Sequence, residues 1–64
     1  MEQLIQKLAK KAIELAGKSK KELERTSWMI VHEHKHGVMP TEYDIREIDE
    51  ELYLKVLKTA RDIA

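Results

Sequence analysis

Three histidines occupy alternate positions near the middle of this 64-residue chain, at His32, His34 and His36. Imidazole nitrogens are frequent zinc ligands, and on a β-strand all three side chains would share one face. On an α-helix only His32 and His36 share a face, and Glu33 lies about 100° away from it. Two ligands are fewer than zinc takes from a protein, so a helix here predicts no metal site. We then expect surface or contact histidines near a helix C-terminus, where positive charge is favoured.

No other group of residues in the sequence predicts a catalytic centre. Ser27 precedes His32 by five residues, so on a helix no histidine is placed to act as its general base. The sequence has no glycine-rich phosphate-binding loop, and a chain this short has little room for a pocket that excludes water. We therefore expect a protein that is not an enzyme and that binds no cofactor.

The segment that carries the histidines is compatible with either a strand or a helix. Its residues Trp28 to Val31 are typical of strands, and the alternating histidines add to that pattern. A strand needs a partner strand, however, and no other segment of the sequence offers one. We therefore predict a helix.

Apolar residues recur with helical spacing in three segments, which predicts α-helices at residues 2–16, 20–36 and 41–63. Short connections between them give an antiparallel three-helix bundle, an all-α fold, as a single domain over residues 1–64. The third helix should place an apolar stripe in the core that consists of Ile45, Ile48, Leu52, Val56, Ala60 and Ile63.

Residues at the ends of these segments support the predicted limits. Gly17 and Gly37 follow the first two helices and can adopt the left-handed conformation that ends a helix. Ser19 begins a capping box before the second helix, and Thr41 begins a weaker variant before the third. The acidic residues of these two boxes are Glu22 and Asp44.

Charges balance over the chain but are separated along it. There are 12 basic and 12 acidic residues, whereas a nucleic-acid-binding protein usually has a net positive charge, so we expect no nucleic-acid partner. Residues 1–21 hold six lysines against two glutamates, a balance of +4, and residues 41–52 hold six acids against one arginine, a balance of −5. We expect two solvated helix faces that attract each other within the bundle.

Neither a membrane span nor a secretory signal is expected. No apolar run approaches the roughly 18 residues that a membrane span needs. No basic segment precedes an apolar one in the manner of a signal peptide. The sequence also contains no cysteine, which excludes disulfides and fits a reducing compartment or a sequence that avoids thiols. The cellular location stays open.

The second helix has an unusual distribution of side chains. Its predicted inward stripe is poor in apolar groups and consists of Leu23, Ser27, Ile30 and His34. Its outward face carries residue types that are enriched in interface hot spots, namely Arg25, Trp28 and Met29, together with His32 and His36. The alternative is a rotated helix in which Trp28 and Val31 pack at the edge of the bundle.

Leu54 is predicted to point outward from the third helix and could extend this outward face of the second helix. Whether it does so depends on the handedness of the bundle, which the sequence leaves open. The sequence thus predicts a non-catalytic protein-binding surface. Its predicted contact residues are Arg25, Trp28, Met29, His32, His36 and Leu54. The alternative is a structural bundle that forms a homodimer through the same surface, which would supply apolar burial that a small chain lacks.

The chain resembles computationally designed three-helix miniprotein binders over its whole length. The resemblance rests on Leu-Ala-Lys-Lys-Ala-Ile-Glu-Leu-Ala at residues 8–16, the Gly-Lys-Ser connection at 17–19, His-Gly-Val-Met-Pro-Thr-Glu at 36–42 and Asp-Glu-Glu-Leu at 49–52. It implies a protein that presents one or two helices to a target, as an inhibitor does. The three histidines, three methionines and thin core stripe depart from that pattern. They indicate either selection for a target or a natural small bundle.

Overall fold

The computed structural model describes residues 2–41 and 47–64, which form three α-helices. These are α1 (Glu2–Ala16), α2 (Leu23–His36) and α3 (Glu50–Ile63), with a 3-10 turn, Lys20–Glu22, leading into α2. Each helix packs against the other two, and the described residues contain no β-strand. No helix among them is long and apolar enough to cross a membrane. The predicted all-α three-helix bundle is confirmed, and the strand alternative for the histidine segment is wrong.

Contacts at the helix ends show that consecutive helices run antiparallel. Arg61, in the last turn of α3, donates a hydrogen bond over 3.4 Å to Glu24 in the first turn of α2. At the other end of the bundle, the ring of His36 in the last turn of α2 contacts the backbone of Glu47, just before α3. Leu4, near the start of α1, shares a surface depression with residues in the last turn of α2. The topology is therefore the predicted antiparallel one.

The core consists mainly of small and medium-sized side chains. All three helices contribute buried hydrophobic residues, which are Leu8, Ala9, Ala12, Ala16, Leu23, Ile30, Val31, Leu52, Val56, Leu57 and Ala60. The largest side chains that are fully buried are His32, Val31, Val56 and Ser27. The core is therefore thin, and two of these four side chains are polar.

Both glycines end their helices as predicted. Gly17 has φ 63° and Gly37 has φ 79°, in the left-handed region that favours glycine. The predicted capping box at Ser19 is wrong, because its side chain makes no capping hydrogen bond. The backbone forms a 3-10 turn at residues 20–22 instead, in which the Glu22 amide donates to the Ser19 carbonyl oxygen over 3.2 Å.

The third helix begins later than predicted. Thr41 and residues 47–49 are not helical, and α3 begins at Glu50. Its N-cap is Asp49, which has an extended backbone and whose carboxylate accepts a hydrogen bond from the Leu52 amide over 3.1 Å. A carboxylate there satisfies an unpaired amide of the first turn and faces the positive end of the helix dipole. Asp44, the predicted partner of Thr41, lies outside the described residues.

The predicted apolar stripe of the third helix is confirmed only in its central part. Leu52, Val56 and Ala60 are buried. Ile48 is half-buried but precedes the helix, and Ile45 lies outside the described residues. Ile63 is 48% exposed, because it is the last residue of α3, where the bundle ends.

The inward face of α2 differs from the predicted one at its C-terminal end. Leu23, Ser27 and Ile30 are buried as predicted. His34 is exposed, because in the last turn of α2 it borders the open surface depression at the end of the bundle. Val31 is fully buried, so the alternative that packs it against the bundle describes this helix better.

Replacing Asp49 with Ala should lower the free energy of unfolding by about 1 kcal/mol, because the Leu52 amide loses its acceptor. Thermal unfolding followed by circular dichroism measures the difference. Asp62→Ala is the matched control, since Asp62 is exposed near the other end of α3, where a negative charge is not favoured by the dipole. If Thr41→Ala lowers the Tm and Asp49→Ala does not, the helix begins at Thr41.

Candidate protein-binding surface

Three aromatic rings form a row along one face of α2. Trp28, His32 and His36 are spaced by four residues, so their side chains lie one above another. The ring centroids of Trp28 and His32 are 5.6 Å apart with an interplanar angle of 41°. Those of His32 and His36 are 4.7 Å apart with an angle of 50°. The outer two rings of the row are half-buried and the middle ring is fully buried.

The described chain on either side of residues 42–46 contacts two rings of this row, His32 and His36. Nδ1 of His32 donates to the carbonyl oxygen of Val38 over 2.8 Å. Nε2 of His36 donates to the carbonyl oxygen of Glu47 over 2.7 Å. A carbonyl oxygen only accepts, so each of these ring nitrogens carries a proton. The two bonds attach the chain on both sides of residues 42–46 to α2.

The predicted exposure of His32 is therefore wrong. Its position on α2 is on the outward side, as the helical spacing requires, but the returning chain covers that side and leaves the ring 0% exposed. His36 is half-buried for the same reason. No group of three His, Cys, Asp or Glu side chains among the described residues is arranged to hold a metal ion. The rings of His32 and His36 stabilise the fold by attaching the described ends of the connection between α2 and α3.

A groove of about 560 Å³ lies between α2 and α3 beside the tryptophan end of this row. Its lining residues, which define the α2/α3 groove, are Glu24, Arg25, Trp28, Ile48, Glu50, Tyr53 and Leu54. The middle of the groove is aromatic and aliphatic, and its ends carry charged side chains. Leu54 is 62% exposed, so an apolar side chain of the wall faces solvent.

The structure brings together three of the six predicted contact residues. Arg25, Trp28 and Leu54 all line the α2/α3 groove. Leu54 therefore lies beside Arg25 and Trp28, the position in which it could extend the surface of the second helix. Met29 is half-buried and is not part of the groove. The two remaining predicted residues are the histidines that hold the connection.

Two further groove residues of α3, Tyr53 and Glu50, were not predicted from the sequence. Tyr53 and Glu50 lie one and four residues before Leu54, so the three side chains share one side of the helix. This spacing could have identified them once Leu54 was placed on an outward surface. Ile48 could not have been found in this way, because it belongs to the non-helical segment before α3.

The charged groups divide the groove into two unlike ends. At one end Glu24 is paired with Arg61 at 3.4 Å, which leaves Arg25 as the cation there. Arg25 approaches Glu22 at only 3.9 Å, and its side chain is 76% exposed, so this pair contributes little. Glu50 stands at the other end, because the helices are antiparallel. One end is thus basic and the other acidic.

The hydroxyl of Tyr53 responds to the ion pair at the basic end. Burial raises the pKa of Tyr53 above its ordinary value of 10.0, the Glu24 carboxylate raises it further, and Arg61 lowers it. The folded chain therefore favours the neutral phenol.

The predicted attraction between the lysine-rich and the acidic segments can be followed only at the described residues, since residues 42–46 of the acidic segment lie outside them. The ion pairs among the described residues join Arg25 to Glu22, Lys55 to Glu51, and Arg61 to Glu24. None of them joins residues 1–21 to residues 47–52. Lys7, Lys10 and Lys11 of α1 are exposed.

His32→Ala should lower the free energy of unfolding by about 2 kcal/mol or more, because it removes a buried ring and leaves the Val38 carbonyl without its donor. Urea unfolding followed by circular dichroism provides the measurement. His34→Ala is the matched control, since that ring is exposed and its loss should change stability by no more than about 0.5 kcal/mol. Equal losses for the two variants would contradict a structural role for His32.

Stability should depend on the ionisation of Tyr53 at high pH. The pKa is raised in the folded state, so this contribution is complete below pH 10.0, the ordinary value, and is lost as the pH rises through the raised value. Wild-type protein should therefore lose more stability above that range than Tyr53→Phe does. Tyrosinate absorbance, with Tyr53→Phe subtracted, should show a lower pKa in Glu24→Gln. An unchanged or higher pKa in that variant would contradict the assignment.

Comparison with known proteins identifies a family for the chain. Residues 3–64 match the sequence model of the family described as domain of unknown function DUF8662. Because the match covers nearly the whole chain, the chain belongs to this family. Neither a curated protein nor a solved structure gives a significant match. The function is therefore inferred from the geometry of the surface.

Proposed function

We propose that this member of the DUF8662 family is a non-catalytic protein-binding module whose α2/α3 groove receives apolar side chains of a protein partner. The main support for the proposal is that Trp28, Tyr53 and Leu54 line the same groove. The side chain of Leu54 is 62% exposed. Neighbouring apolar and aromatic groups that face solvent lower solubility, and they are typical of surfaces that a partner covers. The same use would follow from the resemblance to designed miniprotein binders.

The shape of the groove favours a protein partner over a small molecule. Its volume of about 560 Å³ is in the range of small-molecule cavities. Such cavities, however, enclose most of the ligand surface, roughly 70–90%. Here the walls include a leucine that is 62% exposed and an arginine side chain that is 76% exposed. An open groove of this kind is better matched by side chains that a partner inserts while its backbone stays outside.

The residue types in the groove support the same proposal. Tryptophan, tyrosine and arginine dominate the binding energy of protein interfaces, and each occurs here. Trp28 is already held on one side by the ring of His32, so little conformational freedom is lost when a partner covers its other side. The charged ends supply the polar rim that surrounds the apolar centre of an interface and fixes its orientation.

Site-specific photo-crosslinking tests the proposal. A benzophenone amino acid at position 54, in the cells that naturally produce the chain, should yield a discrete protein adduct. The same group at position 15 is the matched control. Leu15 is also an exposed leucine in a helix, with 51% exposure against 62% for Leu54, but it lies outside the groove. Equal adducts at both positions, or none at position 54, would contradict the proposal.

Trp28→Ala separates a contact residue from a core residue. If Trp28 anchors the partner, the variant should lose affinity by at least about 2 kcal/mol, seen as a loss of the adduct at low concentration. If the variant lowers the Tm and keeps the adduct, Trp28 belongs to the core instead. Leu54→Arg gives an independent test, since a residue this exposed can be changed without unfolding the chain.

A further inference from the structure

We infer that the partner which occupies the α2/α3 groove is a second copy of this chain, so that two chains form a two-fold symmetric dimer. The inference rests on the proposed function, because it uses the same groove. In such a dimer, α2 and α3 of each copy pack against α2 and α3 of the other. The two grooves merge into one apolar layer that contains both copies of Trp28 and Leu54.

The charges at the ends of the groove are complementary to those of a second copy. A two-fold axis through the middle of the groove, perpendicular to its length, exchanges the two ends. Arg25 of each chain then lies at the same end of the interface as Glu50 of the other chain, across the groove from it, and this proximity occurs twice. Glu24 does not oppose it, because Arg61 pairs with that carboxylate at 3.4 Å within each chain. A two-fold symmetric interface needs a surface that is complementary to itself. The groove meets this requirement, because one of its ends is basic and the other is acidic.

The chain as a whole also permits two copies to approach each other. Its 12 basic and 12 acidic residues cancel, so no net repulsion opposes association. A stable interface buries about 800 Å² on each partner. That is roughly one sixth of the 4774 Å² that a single chain exposes, an area that one face of a three-helix bundle can supply.

A second apolar layer would supply what the single chain lacks. Domains of about 60 residues are marginal, and small domains commonly gain stability from disulfides, a metal, association or very regular helix packing. The sequence has no cysteine, and the described residues hold no cluster of metal ligands. The fully buried side chains are no larger than His32, whereas Trp28 and Tyr53 are only half-buried. The largest aromatic groups of the described chain are therefore still available for burial.

Sedimentation equilibrium of the full chain over a range of micromolar concentrations tests the dimer. The expected result is twice the chain mass at the upper concentrations, with a blue shift of Trp28 emission as the dimer forms. Leu54→Arg should raise the dissociation constant by at least about tenfold, since it places a charge in the apolar layer. Leu15→Arg, the matched control outside the groove, should leave the dissociation constant unchanged.

A charge exchange tests the predicted arrangement of the two copies. Arg25→Glu and Glu50→Lys should each weaken the dimer, and the double variant should recover it, because each pair is then reversed. Circular dichroism of each variant checks that the helices are intact. Recovery in the double variant requires that these residues face each other across the interface, since they stand at opposite ends of the groove within one chain.

The outcomes that would overturn the inference differ from those that would overturn the proposed function. A wild-type chain that stays monomeric at every concentration, but crosslinks from position 54 to a different protein, rules out the second copy and leaves the groove as a binding site. If Leu15→Arg dissociates the dimer and Leu54→Arg does not, the dimer interface lies outside the groove and the inference is wrong. Failure of crosslinking from position 54 to any protein, including itself, overturns both.

Discussion

The arrangement of this bundle depends on two hydrogen bonds from histidine rings to backbone carbonyls. His32 and His36 hold the chain before and after residues 42–46 against the outer side of α2. These contacts fix where the chain arrives at Asp49, the N-cap of α3, and therefore how α3 lies beside α2. They also cover the C-terminal half of the outer side of α2 and leave its N-terminal half open. The α2/α3 groove is in that open half, so its position follows from the two bonds.

The same arrangement explains how a thin core coexists with large side chains at the surface. The returning chain gives α2 buried groups on two sides, an apolar one toward the helices and a polar one toward the connection. Ser27 is 0% exposed, and its hydroxyl has no hydrogen-bond partner among the described residues, a cost of about 1–3 kcal/mol. A core that contains such a group and four alanines gains little apolar burial. The apolar area that would compensate lies in the groove, where a partner can bury it.

Local patterns in the sequence predicted the helices and their glycine ends, because these depend on periodicity and on backbone conformation within a few residues. They also predicted that Arg25, Trp28 and Leu54 lie on outer surfaces. The start of α3 was not predictable in the same way, since both Thr41 and Asp49 are good N-caps and tertiary contacts decide between them. The burial of His32 depends on a carbonyl six residues away in a non-helical segment. Helical periodicity contains no information about such a contact. The position of Ile48 in the groove could not be predicted for the same reason, because Ile48 is not in a helix.

Trp28 belongs to the structural row and to the groove at once, and this has a consequence for how the molecule can act. The centroid of its ring is 5.6 Å from that of His32, and the same side chain lines the groove. A partner that covers the groove side also restricts the row, so binding should stabilise the attachment of the connection to α2. Leu54 has no such link, because it is on the opposite wall and exposed. If the groove binds a partner as proposed, stability and binding are coupled at Trp28 and separable at Leu54, since Trp28 contacts His32 within the fold and Leu54 is exposed on the groove wall.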